Sequence, residues 1–248
     1  MKKSHKAILG IYAVAAAGAG INFAVLKNSV KNLPVDFTVT AHTGCEKSKD
    51  NSLESISAAI NAGAQITEFD LRFDGDGKAI LSHDDGAENP VTLDEAFALV
   101  AVDDKLMVNV DVKTTDNIKE VYLLSEKYGI TNRIFYTGIE EAKVETVKTE
   151  TPAISYYLNY APDLSKKYDD EYIASLIELV KGAGAVGLNV NYLKCSKKMV
   201  EAFRREGLKV SVWTAKEIFS MIICLNMMPD NITTRCPVLL NKLIDFLR

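Results

Sequence analysis

The chain has 248 residues, of which 48% are apolar, and its 29 basic and 33 acidic residues give a net charge of −4. This composition is typical of a soluble globular protein and argues against a disordered, collagen-like or disulfide-framework chain. Residues 31–248 carry a net charge of −8 without a basic block, which argues against nucleic-acid binding. The four cysteines form no Cys-x-x-Cys pair, which argues against a structural zinc site.

The amino-terminal segment 1–30, which we call the leader, differs from the rest of the chain. It contains four lysines and no acidic residue, and residues 7–26 are uncharged. Such a run in helical form is about 30 Å long, which is enough to cross a bilayer. We expect segment 1–30 to be a signal peptide or an N-terminal membrane anchor, with an ordinary buried helix as a third interpretation. The lysines before the run predict a membrane-anchored or secreted protein whose body lies on the extracytoplasmic side.

Residues 31–248 are predicted to form one α/β domain in which strands and helices alternate. Eight short apolar, β-branched runs are predicted as strands, at 37–41, 66–73, 106–112, 133–137, 153–158, 185–190, 208–213 and 231–234. Helical patterns follow them near 52–62, 93–101, 116–128, 140–148, 169–181, 196–206, 215–227 and 238–247. This alternation favours a (β/α)8 TIM barrel. An open doubly wound sheet is the alternative, although no Gly-x-Gly-x-x-Gly follows the first strand.

One further strand, at 78–83, interrupts the alternation. It follows the second strand after only Asp74-Gly75-Asp76-Gly77, which is too short for a crossover helix and is typical of a tight hairpin turn. A turn centred between Gly75 and Asp76 would bring His83 opposite Glu68, within two residues. The hairpin therefore predicts an imidazole beside a carboxylate.

Acidic residues cluster where the predicted strands end, which is where barrels of this type carry their active sites. Glu68 and Asp70 are two residues apart and share one face of a strand, and Asp111 and Lys113 do so on the next. Three converging carboxylates repel one another unless a positive charge neutralises them. Because hard divalent cations prefer oxygen ligands, we predict one bound Mg²⁺ or Ca²⁺.

The two histidines outside the leader, His42 and His83, also fall on predicted strand ends at this mouth. Two imidazoles beside a cation suggest general acid–base catalysis on an anionic ester. Trp213 ends the seventh predicted strand, where it would either line a substrate pocket or belong to the core.

Several motifs resemble, in their order and spacing, those of the glycerophosphodiester phosphodiesterase family. They lie between about residues 37 and 240 and are Ala41-His42-Thr43-Gly44, Asp50-Asn51-Ser52-Leu53-Glu54-Ser55, Gly63-Ala64, Glu68-Phe69-Asp70, Asp76-Gly77, His83-Asp84, Asp111-Val112-Lys113, Trp213-Thr214 and Ile232-Thr233-Thr234-Arg235-Cys236-Pro237. The resemblance implies a (β/α)8 barrel that uses a divalent cation to hydrolyse glycerophosphodiesters to glycerol 3-phosphate and an alcohol. It further implies that His42 and His83 are the catalytic residues. The implied metal ligands are Glu68, Asp70 and Asp111. The implied substrate- or phosphate-binding residues are Lys113, Thr43 and Trp213.

The chain departs from the family pattern at several positions. Thr43 replaces an arginine that would bind phosphate through two parallel hydrogen bonds. Asp111 and Asp50 stand where the family usually has glutamate, and Asp50 is a further candidate metal ligand. The departures leave open a non-catalytic barrel that binds a phospho-headgroup or a partner protein, and a phospholipase or lyase that acts on lysophospholipids. The expected partners are therefore a glycerophosphodiester or a lysolipid headgroup, together with a membrane bound through residues 7–26.

Overall fold

The computed structural model describes residue 18 and residues 21–248. Eight parallel strands form a barrel, which closes because β1 pairs with both β2 and β9. A ninth strand, β3, pairs antiparallel with the end of β2. In chain order the strands are β1 (Thr38–Ala41), β2 (Ile66–Phe73), β3 (Ala79–Leu81), β4 (Met107–Val112), β5 (Ile134–Ile139), β6 (Ser155–Asn159), β7 (Gly187–Asn191), β8 (Lys209–Ala215) and β9 (Asn231–Thr234). The predicted (β/α)8 TIM barrel with a hairpin after its second strand is confirmed.

Helices surround the barrel, and several begin at residues whose side chains cap them. Thr92 and Glu95 form a reciprocal capping box, Asp169 caps another helix, and Pro237 begins the last one. In the described part of the chain the helices are α1 (Phe23–Lys31), α2 (Leu53–Asn61), α3 (Leu93–Val100), α4 (Lys119–Lys127), α5 (Glu141–Glu150), α6 (Asp170–Ala183), α7 (Lys197–Arg205), α8 (Ile218–Met227) and α9 (Pro237–Leu247). All eight helices predicted after the strands are present, with ends shifted by up to three residues.

The two faces of the strands are chemically different. Outward-facing residues of β4, such as Val108 and Val110, are fully buried in the large apolar core. Ile66, Phe135 and Tyr157 share a face with the inward-pointing residues of their strands and form a separate apolar cluster. Polar and then charged side chains follow them along the strands. The barrel interior is therefore apolar at one end and charged at the mouth, where the strands end.

The hairpin is present, but its register differs by one residue from the prediction. Leu71 pairs with Leu81 and Phe73 with Ala79, so residue 68 does not face residue 83. The turn is closed by Asp74, whose carbonyl and carboxylate oxygens accept hydrogen bonds from the backbone of residues 76–78. His83 lies beyond the end of β3 and is not held by strand pairing.

The helix α1 belongs to the barrel domain, which the sequence prediction began at residue 31. Leu26 and Val30 are 0% and 1% exposed and lie in the main apolar core. They pack on α8, an apolar helix in which only Ser220 and Asn226 are polar. Because the outer face of α8 is also apolar, α1 shields that face from solvent. The apolar core thus includes α1, and the predicted division of the chain at residue 30 stays a prediction.

Most of the predicted signal peptide or anchor lies outside the described residues, which include only residues 18 and 21–26 of the uncharged run. In the described part of the chain, no helix combines the length and the apolar character needed to cross a membrane. The leader's function therefore stays a prediction.

Candidate active site

A cavity of about 720 Å³ opens at the mouth of the barrel, where the parallel strands end. Its wall contains all eight residues that the sequence predicts for the site, which are His42, Thr43, Glu68, Asp70, His83, Asp111, Lys113 and Trp213. Residues far apart in the chain meet here because barrel closure places every strand end on one rim.

The three predicted metal ligands lie together in this cavity. Glu68 and Asp70 point inward from β2, and Asp111 pairs in register with Asp70 from β4. One carboxylate oxygen from each of the three residues lies within 4.8 Å of the other two. The alternation of side chains along two adjacent parallel strands is sufficient to produce this cluster.

The ammonium group of Lys113 lies between two of these carboxylates. Its Nζ is 2.8 Å from Asp70 Oδ1 and 2.5 Å from Asp111 Oδ2. Burial opposes the charge on Lys113, but Asp111 and Asp70 outweigh burial and raise the lysine pKa. Burial likewise opposes the charge on Asp70, yet Lys113 and a hydrogen bond from Asn51 lower the pKa of that carboxyl.

At Glu68 the hydrogen bond from Thr43 and the charge of Lys113 compensate burial only in part. Burial, and then repulsion by Asp70 and Asp111, raise the pKa of Glu68 well above its usual range. Its Oε2 accepts a hydrogen bond from the backbone N–H of Thr43, at 2.8 Å. Three clustered carboxylates with a single ammonium between them retain negative charge, and they offer only oxygen donors. These residues therefore fit a hard divalent cation such as Mg²⁺ or Ca²⁺.

His42 follows β1 and is oriented by the backbone. Its Nδ1 lies 2.8 Å from the carbonyl oxygen of Thr43, which can only accept a hydrogen bond. Nδ1 therefore carries a proton, and in the neutral ring Nε2 is the basic nitrogen. Burial, opposed by this hydrogen bond and reinforced by the positive charge of Arg235, lowers the pKa of His42.

Thr43 lines the cavity, and its hydroxyl is hydrogen-bonded to Asn51. Its side chain is 2% exposed, and Oγ1 accepts a hydrogen bond from the backbone N–H of Asn51 at 2.6 Å while donating to Asn51 Oδ1 at 3.4 Å. Asn51 in turn donates from Nδ2 to Asp70 Oδ2 and accepts at Oδ1 from the backbone N–H of Asp70. Thr43 therefore holds Asn51 against Asp70, and its predicted phosphate contact stays a prediction.

Asp50, the further candidate metal ligand, is not part of the acidic cluster and pairs with Arg235. The two guanidinium nitrogens of Arg235 donate to its two carboxylate oxygens, at 2.8 Å and 3.2 Å. This pair lies against Gly44, where an added Cβ would be 1.8 Å from Asp50 Oδ1. The structure therefore replaces the predicted metal contact of Asp50 with an ion pair.

His83 is held through its backbone rather than by packing. Its side chain is 67% exposed, and its Nδ1 lies 2.9 Å from Asp84 Oδ1. Arg72 donates from Nε to the carbonyl oxygen of His83, at 2.8 Å, and forms an ion pair with Asp85. Ser82, the preceding residue, donates its backbone N–H to the carbonyl oxygen of Asp70. These contacts place His83 at the edge of the same cavity.

The remaining wall contains residues that the sequence reasoning did not assign. Trp213 is half-buried, and its indole N–H has no hydrogen-bond acceptor in the described part of the chain. The neutral polar residues of the inner wall are Asn109, Thr137, Asn159, Asn189 and Thr233. The basic residues of the rim are Arg72, Lys143, Lys216 and Arg235. Asn159 and Asn189 could have been found by reading the ends of all predicted strands. Lys143 lies on a helix, where no sequence pattern distinguishes it.

Residues 40–94 match the model of the glycerophosphoryl diester phosphodiesterase family. The match agrees with the family resemblance that the sequence motifs indicate. The matched stretch includes both histidines of the cavity, Glu68 and Asp70. The match also supports the predicted enzyme class of the phosphodiesterase family, a phosphoric diester hydrolase.

Solved structures of phosphodiesterases share this fold. A protein from Silicibacter pomeroyi, assigned as a glycerophosphoryl diester phosphodiesterase, has a TM-score of 0.74 at 17% identity, with 89% of this chain and 97% of that chain covered. The glycerophosphodiester phosphodiesterase of Thermotoga maritima has a TM-score of 0.61 at 21% identity, with 84% and 98% covered. An Oleispira antarctica phosphodiesterase in complex with the product sn-glycerol-3-phosphate has a TM-score of 0.68 at 16% identity, with 88% and 99% covered. No curated protein sequence matches this chain.

Proposed function

We propose that this protein hydrolyses glycerophosphodiesters to glycerol 3-phosphate and an alcohol. The observation that carries the proposal is the meeting of three carboxylates with His42 and His83 around one cavity. Acid–base groups beside a cation site are what hydrolysis of a phosphodiester requires. The family match and the product-bound relative from Oleispira antarctica support the same substrate class.

His42 is the general base in this proposal. Because Nδ1 donates to the carbonyl of Thr43, the free lone pair of the neutral ring is on Nε2. This nitrogen takes a proton from the attacking water, or from a free hydroxyl of the substrate glycerol whose attack expels the alcohol and forms a cyclic phosphate that water then opens to glycerol 3-phosphate. The backbone contact keeps the ring in one tautomer throughout the reaction.

His83 is the general acid. The carboxylate of Asp84 lies 2.9 Å from Nδ1 and stabilises the positive charge of the protonated ring. The exposed side chain can regain its proton from solvent after each turnover. Arg72 keeps His83 near the leaving alkoxide by binding its backbone oxygen.

Charge on the phosphate is balanced at the acidic cluster. A divalent cation bound by Glu68, Asp70 and Asp111 would supply Lewis-acid stabilisation of the phosphate oxygens. Lys113 adds a fixed positive charge beside Asp70 and Asp111. Asn51 holds the Asp70 carboxylate in place through a hydrogen bond of 2.8 Å.

Phosphorus NMR of the reaction products tests the proposed reaction. Glycerophosphoglycerol incubated with the full chain and Mg²⁺ or Ca²⁺ should yield glycerol 3-phosphate. A cyclic phosphate would instead identify a lyase, and lysophosphatidylcholine serves as the test for phospholipase activity. Unchanged spectra with every diester and both cations would favour the non-catalytic barrel and overturn the proposal.

A substrate with a good leaving group separates the two histidine roles. An aryl ester of glycerol phosphate needs no protonation of its leaving group, so it should restore most activity to His83→Ala but none to His42→Ala. Equal recovery in both variants, or in neither, would contradict the assignment. The same comparison with glycerophosphoglycerol should show both variants impaired.

We also propose that the body lies outside the cytoplasmic membrane, either anchored or secreted. The lysines at positions 2, 3 and 6, placed before the uncharged run, support this orientation. Cell fractionation and amino-terminal sequencing of the mature protein test it. Any cleavage site should precede Phe23, because α1 packs in the apolar core. A full-length protein in the cytosolic fraction would overturn the proposal.

A further inference from the structure

The inner and outer walls of the cavity carry different charge. Asn109, Thr137, Asn189 and Thr233 on the inner wall are buried and neutral. The rim beyond the acidic cluster carries four basic residues and two acidic ones, which are Arg72, Lys143, Lys216 and Arg235, and Asp50 and Glu140. A phosphodiester bound at the acidic cluster therefore has one arm against a neutral wall and the other against a basic rim.

Lys143 is the most firmly held of these basic residues. It belongs to α5, and its Nζ donates to the carbonyl oxygens of Val112 and Gly138, both at 2.7 Å. These two bonds use two of its three N–H groups, and it forms no ion pair in the described part of the chain. Its charge is thus fixed near Asp111, and Glu140 and Asp111 attract it without forming an ion pair with it.

The other rim charges are arranged differently. Arg72 pairs with Asp85 and Arg235 with Asp50. Lys216 is exposed, and among the described residues its side chain takes part in no hydrogen bond or ion pair. Glu140 is exposed near Lys143 and partly offsets its charge. Lys143 and Lys216 therefore leave the rim with a net positive character toward a ligand.

The wall also lacks the usual means of binding a quaternary ammonium. Such cations are recognised by several aromatic faces arranged as a cage. Trp213 is the aromatic residue that lines the cavity among the described residues. In the neighbouring groove beside His83, Asp85 forms an ion pair with Arg72 and Asp50 one with Arg235, whereas Asp84 lies against His83 and Glu88 is exposed.

We propose that this site selects glycerophosphodiesters whose alcohol is an uncharged polyol and discriminates against those of choline, with Lys143 as the main specificity-determining residue. The inference rests on the proposed phosphodiesterase function. A polyol can accept hydrogen bonds from the remaining Lys143 N–H on the rim, or bond to the amides of the inner wall. A quaternary ammonium meets a like charge on the rim and no aromatic cage on either wall.

The test compares kcat/KM for glycerophosphoglycerol and glycerophosphocholine, measured as release of glycerol 3-phosphate. The full chain should prefer glycerophosphoglycerol by about tenfold or more, the equivalent of about 1.4 kcal/mol. Lys143→Gln should reduce this preference by about tenfold, and Lys216→Gln by about threefold because an exposed charge acts more weakly. The matched control Lys148→Gln lies on the same helix outside the cavity and should leave the preference unchanged.

Circular dichroism establishes that each variant folds. If Lys143→Gln does not fold, Lys216→Gln decides, because that side chain makes no contact whose loss would affect folding. Equal rates for both substrates in the full chain, or a preference that neither rim variant changes, would overturn the selection by the rim while leaving the phosphodiesterase function intact. If neither diester is cleaved, the proposed function itself fails and the inference with it.

Discussion

The two halves of the barrel mouth differ in chemistry and in their relation to known proteins. From β1 to β4 the cavity carries charged or titratable residues, namely His42, Glu68, Asp70, His83, Asp111 and Lys113. From β5 to β9 its inner wall is neutral, with Thr137, Asn159, Asn189, Trp213 and Thr233. The family model matches residues 40–94, which lie entirely in the charged half.

This difference separates two tasks that one cavity has to perform. Proton transfer and charge stabilisation depend on a few ionisable groups at fixed positions, and a small displacement of any of them is costly. Holding an alcohol depends on hydrogen bonds that many neutral side chains can supply. We therefore expect substitutions in the charged half to lower kcat and substitutions in the neutral half to raise KM.

The largest effect is expected for His42→Ala in the charged half. Loss of the general base should lower kcat by about 10²–10⁴-fold with little change in fold. Steady-state assays of glycerol 3-phosphate release measure the change, and circular dichroism checks the fold. Unchanged turnover would show that His42 is not a catalytic residue and would contradict the proposed difference between the charged half and the neutral half.

Removal of the divalent cation should come next. Because a metal ion contributes several kcal/mol to such reactions, protein stripped with EDTA should lose about 10³-fold in activity and regain it with Mg²⁺ or Ca²⁺. Calorimetric titration of the cation gives a readout that is independent of turnover, and Asp111→Asn should weaken that binding. Full activity in protein shown by elemental analysis to be metal-free would contradict the proposal.

Gly138 lies where the two halves meet, and its replacement should destabilise the fold. Its φ is +72°, and an added Cβ would lie 2.6 Å from the carbonyl oxygen of Val112 and 2.7 Å from Asp111 Oδ1. Gly138→Ala should lower the free energy of unfolding by about 2 kcal/mol or more, as measured by denaturant titration. The control Gly129→Ala has a similar φ of +66° but no atom within 4 Å of the added Cβ, so it should cost only about 1 kcal/mol. Equal losses in both variants would show that the close approach to β4 is unimportant.

The smallest effect is expected for Asn189→Ala in the neutral half. Asn189 donates to Asn159 Oδ1 at 3.0 Å and lines the inner wall. Loss of one hydrogen-bonding group should raise KM about fivefold, equivalent to about 1 kcal/mol, with kcat nearly unchanged. A fall in kcat with constant KM would place this residue in the chemistry and contradict the separation of tasks.

The acidic cluster could be predicted because it depends on the alternation of side chains along two strands and on the adjacency of those strands in a parallel barrel. Glu68 and Asp70 share a face through the alternation of side chains along one strand, and Asp111 occupies the matching place on the next parallel strand. The ends of β2 and β9 were likewise predicted without error, since each is a β-branched run between clear breaks. Strand ends and side-chain alternation follow from residues within a few positions of one another, whereas the pairing of Asp111 with Asp70 follows from the order of the strands.

The exact register of the hairpin and the packing of α1 depend on more than local rules. The turn chemistry predicted an antiparallel pair, but hydrogen bonds from Asp74 set a register one residue away, and a shift of one residue reverses the direction of a side chain. The composition of segment 1–30 predicted a leader, whereas its final part forms α1 over the apolar α8. That packing depends on a helix about 190 residues further along the chain, which no local pattern reports.

The alternation of apolar runs and helical patterns was enough to indicate the barrel, and order and spacing of motifs were enough to indicate the family. The partners of the individual charges were not accessible in this way. Asp50 pairs with Arg235, which is 185 residues away, and Lys143 binds carbonyl oxygens of two neighbouring strands. Such contacts form only when the barrel closes and fixes the position of each strand end along the barrel axis. Residue type and spacing therefore suffice for the chemistry of the mouth, whereas closure of the barrel determines which charges remain free for a substrate.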